Sequence, residues 1–220
     1  MFILLIVMSF VASSLVRNWM KRTYGKWSQI PNQAGVNGHA VARHILDTNG
    51  LTNVKLEVSE GLLTDHYIPS KKLIRLSNDI NDQPTVASVA VAAHECGHAL
   101  QDKEGYRYLK LKALLMPAAA IGNQLGLALS LGGGFFGNMM LMNLGLSMML
   151  LGMIMPLLTL PIEFDASKRA LSELERLQLV DEKEYQGAKS MLTAAAFTYV
   201  AGAASSMAIV ALIMFRFLRR

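Results

Sequence analysis

The chain has 220 residues, of which 52% are hydrophobic and 17% charged, and its formal net charge is +5. This composition excludes a disordered chain, and a single cysteine excludes a disulfide-rich fold. The charged residues are unevenly distributed, because the segments 1–16, 113–162 and 190–215 contain none. The sequence therefore predicts hydrophilic parts interrupted by membrane spans rather than one soluble domain.

The uncharged segments predict about four transmembrane helices, since one span needs about 20 apolar residues. Residues 113–162 are long enough for a hairpin of two spans, with a hinge expected at the glycines of 132–134. Residues 190–220 predict another span with a basic tail, and residues 1–20 predict an N-terminal anchor. A cleaved signal peptide is the alternative for the N-terminal segment, but no basic residue precedes its apolar run.

The lysine and arginine residues predict which side of the membrane the hydrophilic parts occupy. Residues 17–112 and 163–189 flank the predicted hairpin, so they lie on one side, and they hold most of the 21 basic residues. The positive-inside rule makes that side cytoplasmic, although the arginines of the tail favour the opposite orientation. The excess positive charge is not clustered, which indicates contact with the lipid bilayer and no nucleic-acid partner.

The first hydrophilic part predicts a small α+β fold. The expected elements are, in chain order, a helix over 35–50, strands over 53–58 and 72–77, and a helix from Pro84 to about Asp102. The predicted fold class is an α+β membrane protein that is mainly helical. A small antiparallel sheet is expected beside the helix that Pro84 opens.

The second hydrophilic part follows the predicted hairpin. Pro161 precedes an amphipathic helix, and Asp181 and Glu184 have the spacing of a capping box that starts the last span. The chain is thus divided into an anchor (1–20), a first hydrophilic part (21–112), a hairpin (113–162), a helix with its connector (163–189), and a last span with its tail (190–220).

The residues His94-Glu95-Cys96-Gly97-His98 stand in the helix that Pro84 opens. Histidines at positions i and i+4 share one face of a helix, so both imidazoles can bind the same zinc ion. Glu95 projects about 100° away around the helix and suits a general base toward the attacking water. The motif therefore predicts a catalytic site with one Zn²⁺ ion, and Cys96 is expected to be a small buried residue.

A catalytic zinc ion needs a third protein ligand and an open coordination position. A third histidine six residues after His98 is absent, so a carboxylate from a second helix is expected. Glu163 is the first candidate, because it begins the helix after the hairpin and the small Ala166 would let that helix pack closely. Glu173 and Glu175 are the alternatives.

These motifs resemble the bacterial YugP-type neutral zinc metallopeptidases, membrane relatives of the gluzincins. The resemblance is carried almost from end to end by the segments 41–46, 63–67, 74–77, 91–102, 160–167 and 192–200. It implies a zincin-like fold with His94, His98 and Glu163 as zinc ligands and Glu95 as the base. It also implies a multi-pass protein of a bacterial cell membrane.

Two positions depart from patterns that the resemblance implies. Ile68 stands where the family usually has an aspartate, so any role of that acid is absent. Ser167 stands four residues after Glu163, where HtpX-type peptidases carry an aspartate that orients a zinc-binding histidine. YugP-type chains share this serine. A hydroxyl is a weaker acceptor than a carboxylate, so weaker metal binding or slower turnover is expected.

The oxyanion that forms during peptide hydrolysis needs a hydrogen-bond donor. His66 and Tyr67, in the loop before the second strand, are the first candidates, and Tyr199 in the last span is the second. An ordinary turn histidine and an interfacial tyrosine are the alternatives for these positions. The strand over 72–77 is expected to pair with an extended substrate.

The sequence therefore predicts a membrane-embedded zinc metalloendopeptidase that faces the cytoplasm. Its expected partners are the lipid bilayer and a protein or peptide substrate, in particular membrane or membrane-associated proteins. The alternative is a non-peptidase membrane scaffold or adaptor with a structural zinc site, which would not need Glu95. A transporter is disfavoured because the predicted spans contain no charged residue.

Overall fold

The computed structural model describes residues 2–218, without the side chains of residues 2–6, 123, 151 and 209–218. The helices are α1 (Phe2–Trp27), α2 (Gly38–Thr48), α3 (Asn78–Asp82), α4 (Val86–Lys103), α5 (Arg107–Phe135), α6 (Met139–Arg176) and α7 (Glu182–Leu218). The strands are β1 (Lys55–Ser59), β2 (His66–Ile68) and β3 (Leu73–Ser77), and a short 3₁₀ helix covers Pro69–Lys71. The prediction of a mainly helical chain with a small sheet is confirmed.

The chain forms two compact units. One comprises Val16–Tyr106 and Ile162–Phe197, and we refer to it as the sheet unit. It contains the three strands, α2 to α4, the C-terminal part of α6 and the N-terminal part of α7. The other contains all of α5, the N-terminal part of α6, the first part of α1 and the last part of α7, and we refer to it as the hairpin unit.

The three strands form a mixed sheet in the order β1-β3-β2. β3 pairs in parallel with β1 and antiparallel with β2, so the predicted antiparallel sheet is wrong. The difference arises from β2, whose three residues are too few to show an alternating pattern. β2 occupies the far edge, and β3 returns between the other two strands. The predicted pairing of β3 with a substrate is therefore also wrong, because neighbours occupy both of its edges.

The core of the sheet unit contains residues from the sheet, α2, α3 and α4. Its largest fully buried side chains include Ile45, Leu46, Ile74, Leu76 and Ile80. Helix α4 begins after Thr85, whose hydroxyl accepts a hydrogen bond from the Ser88 amide at 3.2 Å. The alanines and valines of α4 other than Val91 are almost completely buried, so this helix has a fixed position in the core.

Among the residues whose side chains the structure describes, three helices are long and apolar enough to cross a membrane, namely α5, α6 and the part of α7 that ends at Ala208. They correspond to three of the about four predicted spans. The predicted anchor over residues 1–20 falls on α1, part of which lies outside the residues with described side chains. The last two arginines of the predicted basic tail also lie outside the described residues.

The turn of the helical hairpin lies a few residues beyond its predicted place. Helix α5 continues through the glycines of 132–134, and the chain turns at Gly137, where φ is +68°. Asn138 then accepts a hydrogen bond from the Leu141 amide at 3.0 Å and starts α6. A Cβ on Gly133 would overlap the Met142 backbone, so this glycine permits close packing of the two helices instead of forming the turn.

Helix α6 is continuous over 38 residues and includes Pro156 and Pro161. The predicted start of a new helix after Pro161 is therefore wrong. A proline inside a helix removes one backbone hydrogen bond. A long helix can nevertheless remain continuous when neighbouring parts of the protein pack against it on both sides of the proline. Glu163 consequently lies on the same helix as the second apolar segment of the hairpin.

The predicted capping box at the start of α7 is confirmed. The Asp181 carboxylate accepts a hydrogen bond from the Glu184 amide at 2.7 Å, and the Glu184 carboxylate accepts one from the Asp181 amide at 3.0 Å. Glu184 is buried, and its carboxylate also accepts a hydrogen bond from the Gln33 amide. This side chain therefore links the start of α7 to the segment before α2.

Replacing Glu184 with alanine should lower the free energy of unfolding by about 1–3 kcal/mol, because two backbone amides lose their acceptor. Glu182→Ala is the matched control in the same turn, and it should change stability by less than about 0.5 kcal/mol because Glu182 is exposed. Thermal unfolding of both variants in detergent measures the difference. Equal effects would contradict the role given to Glu184.

Candidate metal centre

Two helices of the sheet unit bring three potential metal ligands together. Helix α4 presents His94 and His98 on one face, with their ring centres 4.8 Å apart. Helix α6 presents Glu163, whose side chain is buried between the helices at 7% exposure. One donor atom from each of the three residues lies within 4.8 Å of the other two. This arrangement could hold a metal ion.

The distances suit a tetrahedral zinc ion. The Glu163 Oε2 atom lies 3.2 Å from His94 Nε2 and 3.7 Å from His98 Nε2. Donor atoms bound about 2.0–2.2 Å from a tetrahedral ion lie about 3.3–3.6 Å from one another. Two imidazoles and one carboxylate also form a donor set found in catalytic zinc sites, which leave one coordination position open. The residues therefore fit zinc in both chemistry and spacing.

Gln101 orients His98. The Gln101 Nε2 atom donates hydrogen bonds to the Ile162 carbonyl oxygen and to Asp165 Oδ2, both at 2.8 Å. Its Oε1 atom therefore faces His98 Nδ1, 3.1 Å away, and can only accept a hydrogen bond. The proton of the neutral His98 ring must then reside on Nδ1, which leaves the Nε2 lone pair free for a metal ion.

Ser167 contacts the other histidine. Its Oγ atom lies 3.2 Å from His94 Nδ1, on the side of the ring opposite to Glu163. Ser167 is four residues after Glu163 on α6, so the ligand and the serine face α4 one turn apart. The Ser167 hydroxyl is therefore the group that faces the Nδ1 side of the His94 ring.

A glycine allows the two ligand-bearing helices to approach. A Cβ on Gly97 would overlap the Ala166 carbonyl oxygen. Ala166 itself is completely buried, so the expectation that a small residue there permits close packing is confirmed. The approach places Glu163 within hydrogen-bond distance of a histidine that is 69 positions earlier in the chain.

Glu95 lies in α4 between the two histidines and is 6% exposed. Burial raises the pKa of its carboxyl group, and the charges of His98 and His94 partly counter this effect. The nearby carboxylate of Asp65 raises the same pKa further. A buried carboxyl whose pKa lies above the usual range is suited to accept and return a proton near neutral pH.

Asp65 is hydrogen-bonded to the last residue of β3. Its carboxylate accepts hydrogen bonds from the Ser77 amide at 2.7 Å and from the Ser77 hydroxyl at 3.0 Å. Burial raises the pKa of Asp65, although the hydrogen bonds from Ser77 oppose the shift.

Sequence reasoning did not identify Asp65 or Gln101. The signal for Gln101 was its position three residues after His98, on the same side of α4.

Two of the three candidates for oxyanion stabilisation, His66 and Tyr67, lie in the sheet unit, which also contains His94, His98 and Glu163. His66 and Tyr67 belong to β2 instead of a loop, and His66 Nδ1 lies 2.6 Å from the Thr64 carbonyl oxygen. The Tyr67 hydroxyl donates a hydrogen bond to Asp102 Oδ2 at 2.6 Å. Burial, followed by this contact with Asp102, raises the pKa of Tyr67. Tyr199 belongs to the hairpin unit, and its predicted role stays a prediction.

The alternative ligands have other surroundings. Glu173 accepts a hydrogen bond from Asn49 at 2.7 Å and pairs with Arg176 at 2.6 Å. Glu175 is exposed on α6. Cys96 is completely buried, as predicted, and its Sγ atom lies 3.5 Å from the Ala42 carbonyl oxygen. Burial raises the pKa of this thiol, so Cys96 is a packing residue.

The fold and the site together define a chain with apolar helices and a histidine–carboxylate cluster that fits zinc. The model of a family described as "Putative neutral zinc metallopeptidase" matches residues 2–218, and the chain belongs to this family. The family implies zinc as the metal, in agreement with the donor set of His94, His98 and Glu163.

A relative from Bacillus subtilis (strain 168) is named "Putative membrane protease YugP". The chain is 35% identical to it over 207 residues, which cover 94% of this chain and 92% of the relative. This name and the three apolar helices both indicate a membrane-associated protein. No solved structure matches the chain significantly.

Replacing Gln101 with methionine should weaken zinc binding by about 10- to 100-fold, because His98 loses the acceptor that fixes its proton on Nδ1. Competition with a zinc-binding dye measures the affinity. Gln83→Met, at an exposed position, is the control and should leave zinc affinity unchanged. Unaltered affinity in Gln101→Met would contradict the orienting role.

Proposed function

We propose that this chain is a membrane-embedded zinc metalloendopeptidase. The observation that carries the proposal is the convergence of His94, His98 and Glu163 in the sheet unit, with the buried carboxyl of Glu95 in the same helix as both histidines. A zinc ion held by the three ligands supplies Lewis-acid activation of water and of the peptide carbonyl group.

Glu95 is the general base of the proposed reaction. It accepts a proton when the water oxygen forms a bond with the peptide carbonyl carbon. It then donates a proton to the peptide nitrogen as the carbon–nitrogen bond breaks, which yields a carboxylic acid and an amine. Burial supports this role, because a carboxyl with a raised pKa can hold the proton between the two steps.

We assign membrane or membrane-associated proteins as substrates, on the cytoplasmic side. The name of the Bacillus subtilis relative supports a membrane location. Helix α6 also supports it, because Glu163 lies on a helix that is apolar enough to cross a membrane. The distribution of lysine and arginine supports the cytoplasmic side. An extended substrate could pair with β1 or β2, the outer strands of the sheet.

A scaffold with a structural zinc ion is the competing function. Structural zinc ions are bound by four protein ligands, whereas the described part of the chain brings together three. A scaffold would also gain nothing from a buried carboxyl beside the histidines, which costs free energy to desolvate. These two observations favour the peptidase.

Metal analysis of purified variants tests the ligand set. His94→Ala and Glu163→Ala should each lose most of the zinc, because two remaining protein ligands bind it weakly. Glu173→Ala and Glu175→Ala are matched controls on the same helix and should retain about one zinc ion per chain. Zinc retained in Glu163→Ala would show that the third ligand is another group.

Replacing Glu95 with glutamine tests the chemistry separately from metal binding. The amide cannot accept the proton of the attacking water, so peptide hydrolysis should fall by about 100-fold or more. Zinc content should stay at the level of the unaltered protein, because Glu95 is not assigned as a ligand. Cleavage of a membrane-protein substrate panel measures the activity. Undiminished cleavage would refute Glu95 as the base, and a zinc-loaded chain that cleaves nothing would favour the scaffold.

A further inference from the structure

A groove separates α6 from α7 on the surface of the sheet unit. It has a volume of about 390 Å³. Its walls are built from corresponding faces of the two helices, in which the lining residues recur every three or four positions. The wall from α6 includes Phe164, Ser167 and Lys168, and the wall from α7 includes Lys189, Leu192 and Ala196.

The groove is apolar at one end and polar at the other. The turn that joins α6 and α7 is short, so the two helices run in opposite directions. Phe164 on α6 therefore lies level with Ala196 on α7, and Glu175 lies level with Tyr185. Both helices continue from the apolar end into segments that are apolar enough to cross a membrane. The polar end points toward the turn.

Two lysines stand between these ends. Lys168 and Lys189 are both exposed, and neither side chain makes an ion pair or hydrogen bond within the part of the chain that the structure describes. The hydroxyl groups of Ser172 and Thr193 line the same stretch. Glu175 is the acidic group of the lining, so positive charges outnumber negative ones by two to one. The middle of the groove is therefore suited to an anion.

The walls do not suit an extended peptide. Both are helices, whose backbone amides and carbonyls are already hydrogen-bonded within the helix, so a peptide strand would leave its own backbone groups without partners. A ligand with an apolar chain and an anionic head needs only side-chain contacts. Such a ligand matches the groove, because the apolar end of the groove would contact the chain and the two lysines, one or two helical turns away, would contact the anionic head.

We propose that this groove binds one anionic phospholipid, with an acyl chain along Phe164, Leu192 and Ala196 and the headgroup phosphate between Lys168 and Lys189. Phosphates bind lysines as point charges, and hydroxyl groups at the same level complete the contacts. The site does not include the zinc ligands, although Ser167, whose hydroxyl contacts His94, also lines the groove. It would hold α6, the helix that carries Glu163, in a defined relation to anionic lipid.

Lipid titration of the purified full-length chain tests the site. The chain in neutral detergent is titrated with phosphatidylglycerol or with phosphatidylcholine of the same acyl chains, and bound lipid is counted by native mass spectrometry. The unaltered chain should bind one phosphatidylglycerol in preference to phosphatidylcholine. The double variant Lys168→Gln/Lys189→Gln should lose about thirtyfold in phosphatidylglycerol affinity, as expected for two lysine–headgroup contacts.

Two further variants separate this groove from general surface charge. Lys21→Gln/Lys183→Gln removes the same charge from exposed helix positions outside the groove and should change the affinity by less than about threefold. Thr193→Trp narrows the groove without changing charge and should also weaken phosphatidylglycerol binding. Zinc content serves as the folding control, because all of these variants should retain it.

Several results would overturn the proposal. Equal losses in the two lysine pairs would indicate general electrostatic attraction. Unchanged binding in Thr193→Trp would show that the groove is not occupied. Displacement of the lipid by millimolar inorganic phosphate would indicate an anion site without lipid recognition. If Lys168→Gln/Lys189→Gln left the lipid affinity unchanged but raised the KM for a peptide substrate, the groove would be assigned to the substrate.

Discussion

The close approach of α4 and α6 is the constraint on which the rest of the candidate site depends. Glu163 meets the two histidines because Gly97 has no Cβ and Ala166 has only a methyl group at the point of contact. A larger residue at either position would move the helices apart by more than the tolerance of a metal–ligand distance. The glycine within the His-Glu-Cys-Gly-His segment thus serves packing, as does Cys96, whereas His94 and His98 are candidate metal ligands.

The amide of Gln101 couples the two helices to the orientation of one ligand. It accepts from His98 on α4 and donates to the Ile162 carbonyl oxygen and to Asp165 on α6. A single buried side chain therefore links the protonated nitrogen of one ligand to the backbone just before another. His94 has the Ser167 hydroxyl near its Nδ1 atom, whereas the Nδ1 atom of His98 faces an amide that is itself held by two further hydrogen bonds.

Helix α6 has three separate roles along its length. Its first part packs against α5 in the hairpin unit, and its C-terminal part belongs to the sheet unit. In that part, the face with Glu163 and Ser167 meets α4, and the adjacent face with Lys168 lines the groove. Ser167 belongs to both faces, because its hydroxyl contacts His94 and it also lines the groove.

Much of the chain followed from its sequence. The uncharged runs predicted the long apolar helices, and local patterns predicted α2, α4, β1, β3 and the capping box of α7. These features are local, because they depend on hydrophobicity and on hydrogen bonds between residues close in the chain. The two histidines were also predictable as a pair, since one helical turn separates them.

The remaining features required the tertiary structure. The sheet order could not be read from the strands, because the three residues of β2 carry too little pattern to show that a strand lies there. Proline usually marks a helix boundary, yet α6 continues through Pro161. The role of Gln101 depends on contacts with residues 61 and 64 positions away. The sequence by itself determined which side chains could bind a metal, and only the packing of α4 on α6 decided how they meet, because helix contacts depend on the shapes of both surfaces.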